Sequence, residues 1–188
     1  MDIERLAIPD VLILKPARFG DARGFFSETY NRRRLAGLGV GLDVEFVQDN
    51  HSLSAEVGTV RGLHFQTPPH AQAKLIRVVR GAILDVAVDL RRGSPTYGRH
   101  VAAEISAAAG NQIFVPVGFA HGFCTLEPDT EVIYKVTDYY APDCDKGVLW
   151  NDPDLGISWP VAAEAAILSD KDRRQPRLGE LPEIFTAP

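Results

Sequence analysis

Apolar residues along this chain recur with a period of two, in short runs, and seldom with a helical spacing. The clearest case is Ile83 to Leu90, where Leu84, Val86, Val88 and Leu90 alternate with Asp85, Ala87 and Asp89, as expected for a strand with one apolar face. Similar runs occupy Val11 to Lys15, closed by Pro16, Val44 through Gln48-Asp49-Asn50, Thr59 to Gln66 and Leu75 to Arg80. Four more follow the turn Arg91 to Gly98: His100 to Ile105, Gln112 to Val117, His121 to Leu126 and Glu131 to Thr137. Many short strands separated by Gly, Pro and Asn predict an all-β sandwich or closed barrel. Val11 to Lys15 would be a sticky edge if left unpaired.

Helical signals are few. Asn31 to Leu38 can form a brief helix capped by Asn31 and stopped by Gly37 and Gly39, because an Asn side chain accepts from the first free N–H groups. The loop-rich tail after Tyr140 predicts short peripheral helices at Ala166 to Asp172 and Pro182 to Phe185, and the Trp150-Asn-Asp-Pro153 turn reads as structural, with a buried indole. Gly20 to Gly24 predicts a loop whose glycines free the backbone. It sets Arg23 beside Phe25, Phe26 and Tyr30 and could cover a ligand.

With 188 residues, 45% of them hydrophobic, the chain can bury one substantial core, and a single domain over 1–188 is expected. Its formal charge of −5 argues against a general nucleic-acid or membrane-surface binder, so a polyanionic ligand must be met by a local cluster of cations and is expected to be small. Cys124 and Cys144 show no zinc or redox spacing. The opening Met-Asp-Ile-Glu-Arg lacks the character of a signal peptide, and no apolar run approaches the ~20 residues that span a bilayer. The expected location is the cytoplasm.

Costly residues are densest between Arg61 and Arg80. Arg61, His64 and Lys74 fall among Leu63, Phe65, Leu75 and Ile76, where a cation or imidazole needs a partner or a task, and an anionic ligand would supply both. Gly110 to His121 fits the second motif of the cupin barrels, with the histidine pointing inward or serving as a hydrogen-bonded core residue. The first cupin motif is half present: Gly58 and His64 are correctly separated, but Gln66 stands where a second histidine would. Two histidines are too few donors for a tetrahedral or octahedral site, so a cupin without a catalytic metal is expected.

Blocks in order along nearly the whole chain are similar to the dTDP-4-dehydrorhamnose 3,5-epimerases of nucleotide-sugar biosynthesis. They are Asp21-Ala-Arg-Gly-Phe-Phe-Ser-Glu28, Gln48-Asp-Asn-His-Ser52, Arg61-Gly-Leu-His-Phe-Gln66, Gln72-Ala-Lys-Leu75, Gly93-Ser-Pro-Thr96, Pro116 to Phe123, Tyr134-Lys135, Gly147 to Pro153 and Leu168 to Asp172. The resemblance implies a cupin-like jelly-roll subunit, a homodimer that exchanges N-terminal strands, no cofactor, and a dTDP-linked 4-keto-6-deoxyhexose epimerised at C3 and C5.

Inverting a carbon beside a ketone requires a base, a stabiliser for the enolate oxygen and an acid on the opposite face. His64 is the natural base, since imidazole titrates near neutrality. The resemblance implies Asp172 as its partner and Tyr134 as the acid across the sugar, although a strand tyrosine also serves as core packing. Lys74 can hold the C4 oxyanion, or can snorkel at the surface. Arg61 and Arg23 suit a diphosphate, and the resemblance brings Arg23 from the neighbouring subunit. Phe26, Glu28, Gln48 and Asn50 would serve the nucleoside, His121 the sugar or phosphates, and Lys171 and Asp145 complete the binding set; Asp145 stands where the family often carries glutamate. Three alternatives stay open: epimerisation at only one carbon, a metal cupin recruiting His51, His64, His70 or His121, and a non-catalytic sugar-nucleotide binder.

Overall fold

A computed structural model of the chain describes residues 1–39, 42 and 44–187. In chain order the strands are β1 (Asp2–Arg5), β2 (Leu12–Lys15), β3 (Phe19–Asp21), β4 (Gly24–Phe26), β5 (Gln48–Ser54), β6 (Val60–Gln66), β7 (Lys74–Arg80) and β8 (Ala82–Asp89). They continue with β9 (Arg91–Arg92), β10 (His100–Ser106), β11 (Gln112–Val115), β12 (Phe119–Thr125), β13 (Thr130–Val136), β14 (Asp145–Gly147) and β15 (Phe185–Thr186). Helix α1 (Arg32–Ala36) follows the β3–β4 hairpin, and α2 (Asp170–Arg173) lies in the tail.

A six-stranded sheet, β1-β2-β11-β7-β13-β5, faces a five-stranded one, β10-β8-β12-β6-β14. All pairings within the two sheets are antiparallel, and together they form a cupin-like jelly roll. Alternation puts Ile13, Ile76, Val78, Ile113 and Val132 of the larger sheet against Ile83, Ala87, Val101, Phe119 and Phe123 of the smaller. This packing closes one end of the barrel; the other end is left for polar side chains.

Each sheet is also covered outside. Leu63, Phe65, Val86 and Val88 of the smaller sheet pack under Val148, Leu155, Leu178 and Phe185 of the tail, while Leu12, Leu14, Leu75 and Phe114 of the larger pack under Leu35 of α1 and Leu42. Burial on both faces changes the meaning of the alternation in β8. Its apolar residues meet the tail, and its acidic side faces the barrel interior, where Asp85 and Asp89 are both 0% exposed.

Several expected boundaries move. Asn31 caps α1 as expected, accepting from the Arg34 N–H, but the helix ends at Ala36. The strand expected from Val44 begins at Gln48 and runs on to Ser54. Of Ala166 to Asp172 only the end is helical, because Ile167 bridges to Thr59 instead. Pro182 to Phe185 is not a helix: a single 3-10 turn forms earlier, at Leu178–Glu180, and Phe185 is drawn into β15, parallel to β9. Residues Leu12 to Lys15 are no bare edge, since β2 pairs with β1 on one side and β11 on the other. The Gly20 to Gly24 segment is the turn of the β3–β4 hairpin, whose Phe19, Phe25 and Phe26 are 64, 64 and 70% exposed. No helix among the described residues is long and apolar enough to cross a membrane.

Candidate active site

The open end of the barrel holds a cavity of about 490 Å³ lined by Arg61, His64, Lys74, His121, Tyr134, Lys171 and Asp172, among others. It adjoins a second hollow of about 300 Å³ that shares His64, Lys74, Tyr134 and Lys171 and adds Gln48, Asn50, Tyr140 and Asp145. His64 and Tyr134 thus face one cleft from opposite sheets, β6 and β13.

Arg61 and His64 are an odd number of residues apart, so a regular strand would send them to opposite faces. The register of β6 on β12 shifts here: Arg61 pairs with Phe123 and His64 with His121, so Gly62 and Leu63 together oppose Gly122. This bulge inserts one extra residue and returns both side chains to the interior. Glycine is required at its centre, because Gly62 has φ +138 and a Cβ there would lie 2.5 Å from the Gly122 Cα.

His64 Nε2 lies 2.5 Å from Asp172 Oδ1. The carboxylate is brought 108 residues along the chain by α2, whose N-cap Ser169 accepts from the Asp172 N–H. Burial pushes the Asp172 carboxyl up, but the His64 bond and charge, the Ser169 hydroxyl and the Gly62 N–H outweigh it and leave it below the ordinary range. An anionic Asp172 makes Nε2 the donor, which leaves Nδ1 as the basic nitrogen.

Lys74 is 9% exposed, and its ammonium donates only to the His64 carbonyl, at 3.2 Å, among the described residues. Burial lowers its pKa to about 8, against the opposing pull of Asp85 and Asp145. The Tyr134 phenol is raised, first by burial, so it holds its proton at neutral pH. Its hydroxyl has no hydrogen-bond partner among the described residues, as a group awaiting a ligand would.

At the mouth, Gln48 Nε2 donates to Asn50 Oδ1 at 2.9 Å and Gln48 Oε1 accepts from the Tyr140 N–H at 3.1 Å. The Tyr140 hydroxyl donates to Asp145 at 3.1 Å, and Lys171 pairs with the same carboxylate. Arg61 donates to the Ser54 hydroxyl at 3.0 Å and the Leu53 carbonyl at 3.1 Å. His121 Nε2 meets both Asp85 oxygens, at 3.0 and 2.9 Å.

Three expected residues stand apart from this cleft. Arg23, at the hairpin turn, pairs with Asp21 in solvent, and Phe26 is exposed beside it. Glu28 lines a different hollow, on the outer face of the larger sheet with Asp49, His51 and Lys135, and sits 3.1 Å from Arg34. Of the four histidines a metal cupin would recruit, only His64 and His121 share the cleft: His51 pairs with Glu131 and His70 with Asp138, and among the described residues no three His, Cys, Asp or Glu side chains gather as a metal site would need. Tyr140, at the mouth of the cleft, was missed by sequence reasoning because it carried no signal beyond being an aromatic in a loop. Asp85, a carboxylate in an apolar strand, stands behind the cleft, bonded to His121 and fully buried.

A family profile described as dTDP-4-dehydrorhamnose 3,5-epimerase matches residues 5–180. The dTDP-4-dehydrorhamnose 3,5-epimerase of Sinorhizobium fredii is 52% identical over 189 residues, covering 98% of this chain and 93% of its own. Among solved structures, the dTDP-4-dehydrorhamnose 3,5-epimerase of Bacillus anthracis, with TDP and PPi bound, is 55% identical with a TM-score of 0.89, covering 94% of this chain and 98% of its own. The dTDP-6-deoxy-D-glucose-3,5-epimerase of Legionella pneumophila, in complex with dTDP-4-keto-L-rhamnose, is 39% identical with a TM-score of 0.94, covering 100 and 98%.

Proposed function

This chain belongs to the dTDP-4-dehydrorhamnose 3,5-epimerase family, and on that premise we propose that it converts dTDP-4-dehydro-6-deoxy-D-glucose to dTDP-4-dehydro-L-rhamnose by inverting C3 and C5. The observation that carries the reading is the convergence of a carboxylate-paired imidazole, a protonated phenol and a buried ammonium on one cleft.

His64 Nδ1 takes the proton from the carbon beside the C4 ketone, and Asp172 stabilises the imidazolium that forms. The electron pair moves onto O4, where the Lys74 ammonium meets the developing charge. Tyr134 then returns a proton to the carbon from the opposite face, inverting it. Solvent reprotonates the phenol and removes the proton from His64, so each half-reaction is a proton transfer with no change of oxidation state. Arg61 and Lys171 hold the diphosphate, His121 the sugar, and Gln48, Asn50 and Asp145 the nucleoside end with Tyr140.

The same proposal includes a cytoplasmic homodimer. Arg23, Phe26 and Glu28 stand away from their own cleft on or beside an exposed aromatic hairpin, which supports their delivery to the cleft of a second copy.

Proton NMR of the substrate turned over in heavy water tests the reading: deuterium enters at C3 and C5 with the native chain. His64→Asn abolishes entry at both carbons while dTDP affinity stays within about tenfold, or ~1.4 kcal/mol. Exchange that persists in that variant removes His64 from the role of base.

A further inference from the structure

Gln66, the last residue of β6, has no part in the chemistry described so far. It is 4% exposed and stands where the cupin motif would carry a second histidine. A buried amide needs its partners, and this one finds them in the two loops beside the cleft mouth. Nε2 donates to the His70 carbonyl at 2.6 Å and to the Tyr139 carbonyl at 3.1 Å, and Oε1 accepts from the Ala141 N–H at 2.8 Å. Both amide hydrogens are thereby engaged, so the side chain has no donor left for a ligand.

Two more glutamines hold the same stretch. Gln72 Nε2 donates to the Asp138 carbonyl at 2.7 Å, and Gln48 Oε1 accepts from the Tyr140 N–H at 3.1 Å. Each of the four residues 138–141 thus has one main-chain group bonded to a glutamine side chain. The stretch belongs to no strand or helix, and its two tyrosines are 65 and 58% exposed, so side-chain amides rather than apolar packing set its place. That place matters to the cleft. Tyr140 lines the hollow at the mouth together with Gln48, Asn50 and Asp145, and its hydroxyl donates to Asp145, which is itself the direct neighbour of Gln66 across β6 and β14.

We propose that Gln66 is a positioning residue for nucleotide binding: with Gln72 and Gln48 it fixes the backbone of residues 138–141 in the free chain, so that Tyr140 already stands at the nucleoside end of the cleft when the ligand arrives. The inference deepens the reading of the site given above and rests on it for where the nucleoside lies. A wall ordered beforehand does not have to be ordered at the moment of binding, and that difference appears as affinity. Removing the amide loosens a loop and not the core. The Tyr139 carbonyl and the Ala141 N–H lie in a surface segment and can turn to water, while β6 keeps its pairing with β12 and β14.

The test is Gln66→Leu, similar in size and without polar atoms. Affinity for dTDP should fall about tenfold or more, as expected when exposed side chains and their backbone must be ordered on binding. Inorganic pyrophosphate, which reaches only the groups that hold the diphosphate, should bind as it does to the native chain. Substrate KM should rise with kcat at saturation within roughly threefold of native, the pattern of lost binding with chemistry intact. Gln72→Leu, which removes one bond of the set, should shift the same quantities in the same direction by less. Unchanged dTDP affinity in a folded Gln66→Leu variant overturns the proposal. So does an equal loss of dTDP and pyrophosphate, which marks a cleft damaged as a whole, or a fall in kcat with KM unmoved.

A second measurement uses the native chain alone. The Tyr140 and Ala141 amide hydrogens should be protected from exchange with solvent before any ligand is added. Amides that exchange freely until dTDP is present reveal a wall built by the ligand and overturn the proposal, whether or not the variant folds. A native chain that binds no dTDP removes the reading of the cleft and this inference with it, whereas normal dTDP binding by both the native chain and Gln66→Leu removes the inference alone.

Discussion

Replacing Lys74 by Met should make the protein more stable and nearly inactive. Methionine fills a similar volume without the charge, and the site disfavours that charge strongly: burial lowers the Lys74 pKa from 10.5 to about 8. At ~1.36 kcal/mol per pH unit, that fall corresponds to roughly 3 kcal/mol of stability lost at neutral pH. The hydrogen bond to the His64 carbonyl is forfeited in return, at about 1 kcal/mol. A net gain of about 2 kcal/mol remains, or roughly 5 °C in Tm for a chain of this size. Loss of the oxyanion donor should lower kcat by ~10²-fold or more.

The pH dependence of this gain has a definite sign. Because the folded pKa lies below the unfolded one, the unfolded chain binds more protons between about 8 and 10.5, and native stability rises with pH across that window relative to a chain without the amine. Urea unfolding of both proteins at pH 7 and pH 10 therefore shows the Met variant ahead at the lower pH and the gap narrowing at the higher. A variant less stable than native at pH 7, or a gap that does not change with pH, refutes the claim that the site holds a strained ammonium.

Two further outcomes follow from the geometry. Gly62→Ala should cost roughly 3 kcal/mol or more, through a φ that L residues resist and a backbone collision at the bulge; kcat should fall with it, and urea unfolding within about 1 kcal/mol of native with full kcat would contradict the account of the bulge. Mixed dimers of Arg23→Ala and His64→Asn chains, refolded together, should regain activity absent from either parent, since one of the two clefts then contains both an intact His64 and a partner's intact Arg23; no recovery in verified heterodimers would place Arg23 in its own subunit's site or in none.

The period of two in the sequence carried the barrel and most of its strands, because alternation is imposed by the backbone and survives in the residues. What it could not carry was which side of a strand faced inward. In β8 the acidic residues suggested a wet face, yet the tail buries the other side and Asp85 points inward, where His121 Nε2 bonds to its carboxyl and burial pushes that carboxyl above the ordinary range. The Gly62 bulge was invisible for a related reason: a glycine in a strand signals a departure from regularity without saying that two residues will oppose one. The His64–Asp172 pair spans 108 residues, a separation no local pattern encodes, so it was legible only through likeness to a family. The helix expected at Pro182 to Phe185 failed because Phe185 has an apolar cluster to join, and tertiary burial outweighs a weak local preference.

The tail that shelters the smaller sheet also delivers the carboxylate that steadies His64. A polypeptide emerging from its amino end has all the barrel strands in hand before residue 172 exists, so the vessel can assemble while still inert. Chemical competence arrives with the last wrap of the chain, and a protein folded everywhere but there would lack both the Asp172 carboxylate and the Lys171 ammonium at its cleft.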